Sequence, residues 1–203
     1  MTGMSKPEIL LKPDGVSWDE IHDVLYRAHA ENREKGVDQH TAHLSGEQIR
    51  EMVGDGYCFV ALLDGKVVGT CSYIIVTRNR WYAQGPVAYI MLLGVLPEYK
   101  QGGISKQLDA EITGHILNSG IRIAELYTSE GNRLMQDIWR RRGYRFVSYT
   151  ASPKTTYYSV LMAKWLDGWP YSKLYCQLRF LKSKYSCKLR YKPGGVRRFA
   201  RTK

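Results

Sequence analysis

The chain has 203 residues, 44% of them hydrophobic and 24% charged, with a formal net charge of +11. This is enough for one well-cored domain with an appendage, and the composition excludes a disordered or fibrous chain. No apolar run is long enough to span a bilayer as a helix, and the mixed, proline-bearing N-terminus does not read as a secretory signal. The four cysteines, Cys58, Cys71, Cys176 and Cys187, lack metal-ligand spacing, so no metal is expected. Cys58 and Cys71 lie in apolar strand patterns, which suits buried free thiols in a reducing cytoplasm.

The charge is unevenly divided. Residues 1–164 hold 19 Lys and Arg against 18 Asp and Glu, whereas residues 165–203 hold 11 Lys and Arg against the single acid Asp167. Any contact with an anionic partner is therefore a property of the tail. The expected division is a domain over residues 1–165 and a basic, aromatic-rich helix and tail over residues 166–203.

In chain order, Ile9 to Pro13 reads as a short first strand. Ser17, with Glu20 three residues on, forms a capping box, and Ile21, Val24, Leu25 and Ala28 give the following helix one apolar face. Glu31 to His43 is polar and without period. A second helix is predicted after Ser45, through Ile49 and Met52, stopping near Gly54. Tyr57 to Leu62, the Asp64-Gly65 turn and Lys66 to Val76 predict a hairpin. Asn79 to Pro86 reads as a loop.

Val87 to Leu96 is a continuous apolar run, suited to a strand covered on both faces. It breaks at Pro97, and after a glycine-bearing loop Ile104, Leu108, Ile112 and Ile116 predict a helix. Such a loop offers free backbone N–H groups and the positive end of a helix dipole, a ready site for phosphate. Beyond it come a strand at Arg122 to Thr128, a helix at Asn132 to Arg141, and strands at Arg145 to Ser148 and Thr155 to Lys164.

Two blocks carry a family resemblance. Val95-x-Pro97-x-x-Lys100-x-x-Gly103-x-Ser105 resembles the acetyl-CoA signature of the GCN5-related N-acetyltransferase (GNAT) family, with Lys100 and Ser105 as departures at the loop's first and last positions. Asn132-x-x-Met135-x-x-Ile138-Trp139-x-x-x-Gly143-Tyr144 resembles the family's second block. The resemblance runs from about Ile9 to Trp165 and leaves the tail uncovered. It implies an α/β fold with a mixed, mostly antiparallel central sheet and helices on both faces, to which this chain adds a C-terminal basic extension.

It also implies acetyl-CoA as co-substrate. Main-chain groups of Leu93 and Val95 would hold the pantetheine arm, and the N–H groups of Gln101, Gly102, Gly103, Ile104 and Ser105 the pyrophosphate, with Lys100 adding charge. Asn132 would bond the cofactor arm and also cap a helix. Trp139 stands where the family often has a proton-donating tyrosine. An indole N–H does not give up its proton, so packing against the cofactor is the expected role.

The general base is less evident. Tyr89 to Leu93 contain no acid, which leaves Glu125 in the next strand and His40 and Asp38 in the helix-loop-helix that lines the family's acceptor pocket. The resemblance implies acetyl transfer to a primary amine by direct attack in a ternary complex. The mixed charge of Glu31 to Asp38 inclines the reading to a small acceptor, such as an amino sugar or polyamine. The alternatives are a catalytically weak acyl-CoA-binding sensor or scaffold, and a protein N-acetyltransferase.

The tail predicts one more helix, with Pro170 in its first turn. Tyr171, Leu174, Tyr175, Leu178, Leu181 and Tyr185 fall at helical spacing, with Lys173, Arg179, Lys182, Lys184 and Lys188 around them. Three readings stand: an apolar stripe docked on the domain, a helix lying on an anionic membrane face, and a nucleic-acid contact. The expected location is cytoplasmic, with the inner membrane face as the peripheral alternative. A homodimer is left open.

Overall fold

A computed structural model describes residues 6–34, 40–153 and 155–195. Seven strands form one sheet in the order β1-β2-β3-β4-β5-β7-β6. They are β1 (Glu8–Leu11), β2 (Tyr57–Leu63), β3 (Lys66–Arg80), β4 (Ala83–Val95), β5 (Ile123–Ser129), β6 (Arg145–Ala151) and β7 (Tyr158–Trp165). Only β4 and β5 are parallel neighbours; every other pair is antiparallel. The helices are α1 (Trp18–Ala28), α2 (Ala30–Glu34), α3 (Gly46–Val53), α4 (Ile104–Asn118), α5 (Arg133–Arg141) and α6 (Lys173–Arg190).

Local signals place the helix starts. Ser17 and Ser45 both complete capping boxes, with Glu20 and Gln48. Ile21, Val24, Leu25 and Ala28 are buried as their spacing predicts. Helices α1 and α4 take opposite faces of the sheet. Gly69 pairs with Val95, so Gly94 faces the other way. A Cβ on Gly69 would meet Ile104 and Leu108 of α4, whereas one on Gly94 would meet Leu25 and Ala28 of α1 at 3.1 and 3.2 Å. Gly94 therefore permits the close approach of α1. Cys58, Cys71, Cys176 and Cys187 are all buried and free.

Two expectations need correction. The stretch Asn79 to Pro86 is not a loop: β3 runs on to Arg80, Trp81 and Tyr82 form a two-residue turn, and β4 begins at Ala83. Gly85 and Pro86 read as breakers, but tertiary contacts hold this tip in place. Tyr82 and Ala83 pack with Val87, Ile123, Val147, Leu161 and Ala163 in a second core cluster. The indole of Trp81 donates to the Val147 carbonyl, that of Trp165 to the Tyr82 carbonyl, and the Tyr171 hydroxyl to the Trp81 carbonyl.

The second correction concerns α6. It starts at Ser172, which caps it, so Pro170 lies before the helix rather than in its first turn. The helix packs on β6 through another face, while of the expected stripe Tyr171 and Tyr175 meet the domain at Trp81. Cys176 and Cys187 are buried, Phe180 stacks on Phe146 at 5.0 Å, and Ser183 Oγ accepts from the Tyr149 amide at 3.0 Å. Lys184 and Lys188 both reach Glu130 at 3.1 Å. The small and aromatic side chains let α6 settle against the edge strand. The stripe of Leu174, Leu178, Leu181 and Tyr185 is turned outward.

Candidate active site

The site begins with a break in strand pairing. Strands β4 and β5 pair only at Ala88 with Ala124, Tyr89 with Glu125 and Ile90 with Leu126. Beyond these, β4 continues to Val95 and β5 to Ser129 without pairing each other, so their facing edges splay apart. Leu92 sits at φ +56°, and across Leu92 and Leu93 the register with β3 shifts, so the strand bulges. The main chain at Leu93 and Val95 therefore borders an open gap.

Below the gap, Leu96 leads into a 3-10 turn at Pro97–Tyr99, and α4 follows. Ser17, Ser45, Asn132 and Ser172 each bond into the first turn of their helices, but Gly103 at the start of α4 has no side chain to do so. Its φ of +76° favours glycine. Among the described residues the amides of Gln101, Gly102, Gly103, Ile104 and Ser105 donate to no acceptor. Five donors at the positive end of a 15-residue helix form a cradle that fits phosphate oxygens. The cradle follows the edge of the gap directly along the chain, from Val95 through the turn at Pro97–Tyr99 to Gln101.

The side chains around the cradle are otherwise engaged. Lys100 Nζ lies 3.8 Å from Glu31 of α2. Ser105 Oγ accepts from Arg142 at 2.7 Å, which ties the hydroxyl to the C-terminal cap of α5. Asn132 caps α5, its Oδ1 accepting from the Met135 amide at 3.2 Å. Trp139 is buried, edge-on to Tyr144 at 5.0 Å and under the Arg142 guanidinium. Its surroundings are those of a packed side chain.

Glu125, a candidate base from the sequence, is completely buried and fully engaged. Oε1 accepts from Arg78 Nε at 2.7 Å and lies 2.6 Å from its Nη2, while the Tyr82 hydroxyl donates to Oε2 at 2.5 Å. A proton taken up there would cost the carboxylate its charge pairing with Arg78, and the three bonds tie it to the β3–β4 tip. The sequence could not reveal this, because Arg78 and Tyr82 lie 47 and 43 residues away along the chain. Burial, together with the Glu125 carboxylate, pushes the Tyr82 hydroxyl up, so it remains a donor. Tyr89 is pushed up to about 12 by burial and by Tyr127 and Glu125, which removes it as a base. Tyr89 and Tyr127 meet edge to face at 5.8 Å on the Glu125 face.

Of the other base candidates, Asp38 lies outside the described residues. His40 begins the 3-10 turn His40–His43. The structure also brings forward His29, which the sequence places with Asp38 and His40 in the helix-loop-helix. His29, at the C-terminal cap of α1, has its Nδ1 3.4 Å from the Asn32 side-chain amide nitrogen, with the Leu93 main chain at the bulge nearby. Desolvation first, then the nearby Lys100 charge, lowers its pKa to about 4, so it is neutral at physiological pH. No local sequence signal marks this contact, which joins the end of α1 to β4. Among the described residues, no group of His, Cys, Asp and Glu is arranged to hold a metal ion.

Comparison with known families agrees with the resemblance that the two sequence blocks carry. The model of the Acetyltransferase (GNAT) family matches residues 18–144, and the chain belongs to that family. No curated protein sequence matches the chain.

Solved structures share the fold. A GNAT family acetyltransferase from Elizabethkingia anophelis with acetyl-CoA bound is 13% identical, with a TM-score of 0.58 over 78% of this chain and 97% of that one. An aminoglycoside 6'-acetyltransferase type Ii is 17% identical, with a TM-score of 0.59 over 80% and 99%. An alanine N-acetyltransferase of a ribosomal protein from Escherichia coli is 14% identical, with a TM-score of 0.59 over 79% and 94%. At these identities the likeness is one of fold. The last two act on different kinds of acceptor, so the fold leaves the acceptor open.

Proposed function

We propose that residues 1–165 form an acetyl-CoA-dependent N-acetyltransferase domain that acetylates the primary amine of a small molecule, with residues 166–203 as a separate basic extension. The observation that carries this reading is the gap beyond Ile90 and Leu126, set directly beside the unpaired amides of Gln101 to Ser105. In this reading those amides hold the pyrophosphate, with Lys100 contributing charge. The main chain of Leu93 and Val95 holds the pantetheine arm, and Asn132 adds a side-chain contact to it. A main-chain N–H at the bulge donates to the thioester oxygen as charge develops there, and because it is already fixed it needs no reorganisation. The amine attacks directly, and no side chain of the enzyme becomes acetylated.

Proton removal from the amine falls to Asp38 or His40, since Glu125 is held by Arg78 and Tyr82. Trp139 supports the site by packing, and the departing thiolate takes its proton from solvent. A compact acceptor is favoured by the mixed charge of the Glu31 to Asp38 segment, which suits neither a strongly acidic nor a strongly basic macromolecule.

Calorimetry with acetyl-CoA, paired with thiol release over a panel of amino sugars, polyamines and peptide N-termini, tests the reading. Binding with turnover of small amines alone supports it. Turnover of peptides alone would make the protein a protein N-acetyltransferase, and binding without turnover of any amine would make it an acyl-CoA sensor or scaffold. Absence of binding would remove the cofactor site itself.

A further inference from the structure

The outward face of α6 is an apolar stripe that no other element covers among the described residues. Leu174, Leu178, Leu181, Tyr185 and Leu189 are 64%, 57%, 45%, 68% and 69% exposed. Their spacing places them on one side of the helix, about opposite the docked face of Cys176, Phe180, Ser183 and Cys187. The helix carries six cations, Lys173, Arg179, Lys182, Lys184, Lys188 and Arg190, and no acid. They flank the stripe on both sides. Lys184 and Lys188 are drawn to Glu130, but among the described residues Lys173, Lys182 and Arg190 form no ion pair. Tyr171 and Tyr175 at the helix start pack on Trp81 instead, so the outward stripe consists of the four leucines and Tyr185.

We infer that α6 lies in the surface of an anionic phospholipid bilayer, with the leucine stripe toward the acyl chains and the flanking Lys and Arg among the headgroups. Charge complementarity selects this occupant. A second copy of the chain would bring six cations against six with no acid between them. A nucleic acid would satisfy the cations but leave five large apolar side chains in water. An anionic bilayer satisfies both halves of the helix at once. No described helix is long and apolar enough to cross a membrane, so the helix lies along the surface, held there on a folded domain. The stripe faces away from the strand that α6 packs on, and the inference stands whichever amine is acetylated.

The test is co-sedimentation of the full chain with vesicles of phosphatidylcholine, with and without phosphatidylglycerol. Binding is expected with the anionic vesicles at low salt, weaker by about tenfold or more with neutral vesicles or at high salt. The double variant Leu178→Glu, Leu181→Glu should lose about tenfold or more of the binding while keeping its thermal midpoint and acetyl-CoA affinity, since both positions are exposed. Three results would overturn the inference. One is no binding to anionic vesicles at low salt, and another is binding that the double variant leaves unchanged. The third is a dimer in sedimentation velocity that the double variant splits, which would give the stripe to a second copy.

Discussion

Arg142 reaches back 37 residues to donate to Ser105 Oγ at 2.7 Å, joining the second motif block to the loop that opens α4. The same guanidinium lies 3.9 Å from Asp109, whose carboxyl is raised by burial and restrained by the Arg142 charge. Ser105→Ala removes one hydrogen bond and should cost about 1 kcal/mol in urea unfolding. It should leave acetyl-CoA affinity within about threefold, because the group proposed to hold phosphate there is the amide. Arg142→Ala strands the buried Asp109 and should cost about 3 kcal/mol. A large affinity loss in Ser105→Ala with unchanged stability would place its hydroxyl on the cofactor instead.

Glu125 distinguishes an anchor from a base. Glu125→Gln leaves Arg78 without its charge partner and should cost about 3 kcal/mol, and Tyr82→Phe about 1–2 kcal/mol. Both should loosen the β3–β4 tip, seen as faster hydrogen exchange across Arg80 to Ala83. Were Glu125 the base instead, Glu125→Gln would flatten the acidic limb of the turnover profile and leave the unfolding midpoint in place.

The neutral state of His29 predicts a pH dependence of stability. Its pKa falls from 6.5 to about 4 on folding, so the unfolded chain binds a proton that the folded chain refuses. Stability should therefore decline as pH drops from about 6.5 toward 4, by roughly 3 kcal/mol from this group alone, and level off below. His29→Gln should remove that slope. Denaturant unfolding between pH 7 and 4 makes the comparison, and parallel curves for the two proteins would assign the slope to other groups.

Trp139→Phe tests the missing proton donor. The indole is buried against Tyr144 and Arg142, so trimming it should cost about 1–2 kcal/mol. Turnover in the thiol-release assay should stay within about threefold, since packing carries no proton. A fall of about a hundredfold with normal acetyl-CoA affinity would mean the indole N–H orients the departing group.

The left-handed Gly103 is the backbone's contribution to the cradle. A side chain there meets no neighbour within 4 Å, but the φ of +76° strains it. Gly103→Val should weaken acetyl-CoA binding by about tenfold or more in calorimetry, by tilting the first-turn amides, at a cost of about 1–2 kcal/mol to stability. Unchanged affinity would separate the loop from the cofactor.

By itself the sequence determined the features that depend on residues close together in the chain. Capping boxes, helix periods, the glycine loop of α4 and the Asn132 cap all lie within a few residues, and the propensities that set them need no distant partner. The two motif blocks identified the family for the same reason. Only the tertiary structure decided the rest. Arg78 and Tyr82 meet Glu125, and His29 meets Leu93, across separations that no local pattern encodes. The breaker signals at Gly85 and Pro86 lost to the packing of Trp81 and Tyr82. In α6 two faces competed, and the more hydrophobic one faces out. The face of Cys176, Phe180, Ser183 and Cys187 fits the edge strand more closely, and burial follows the fit between surfaces as well as their hydrophobicity.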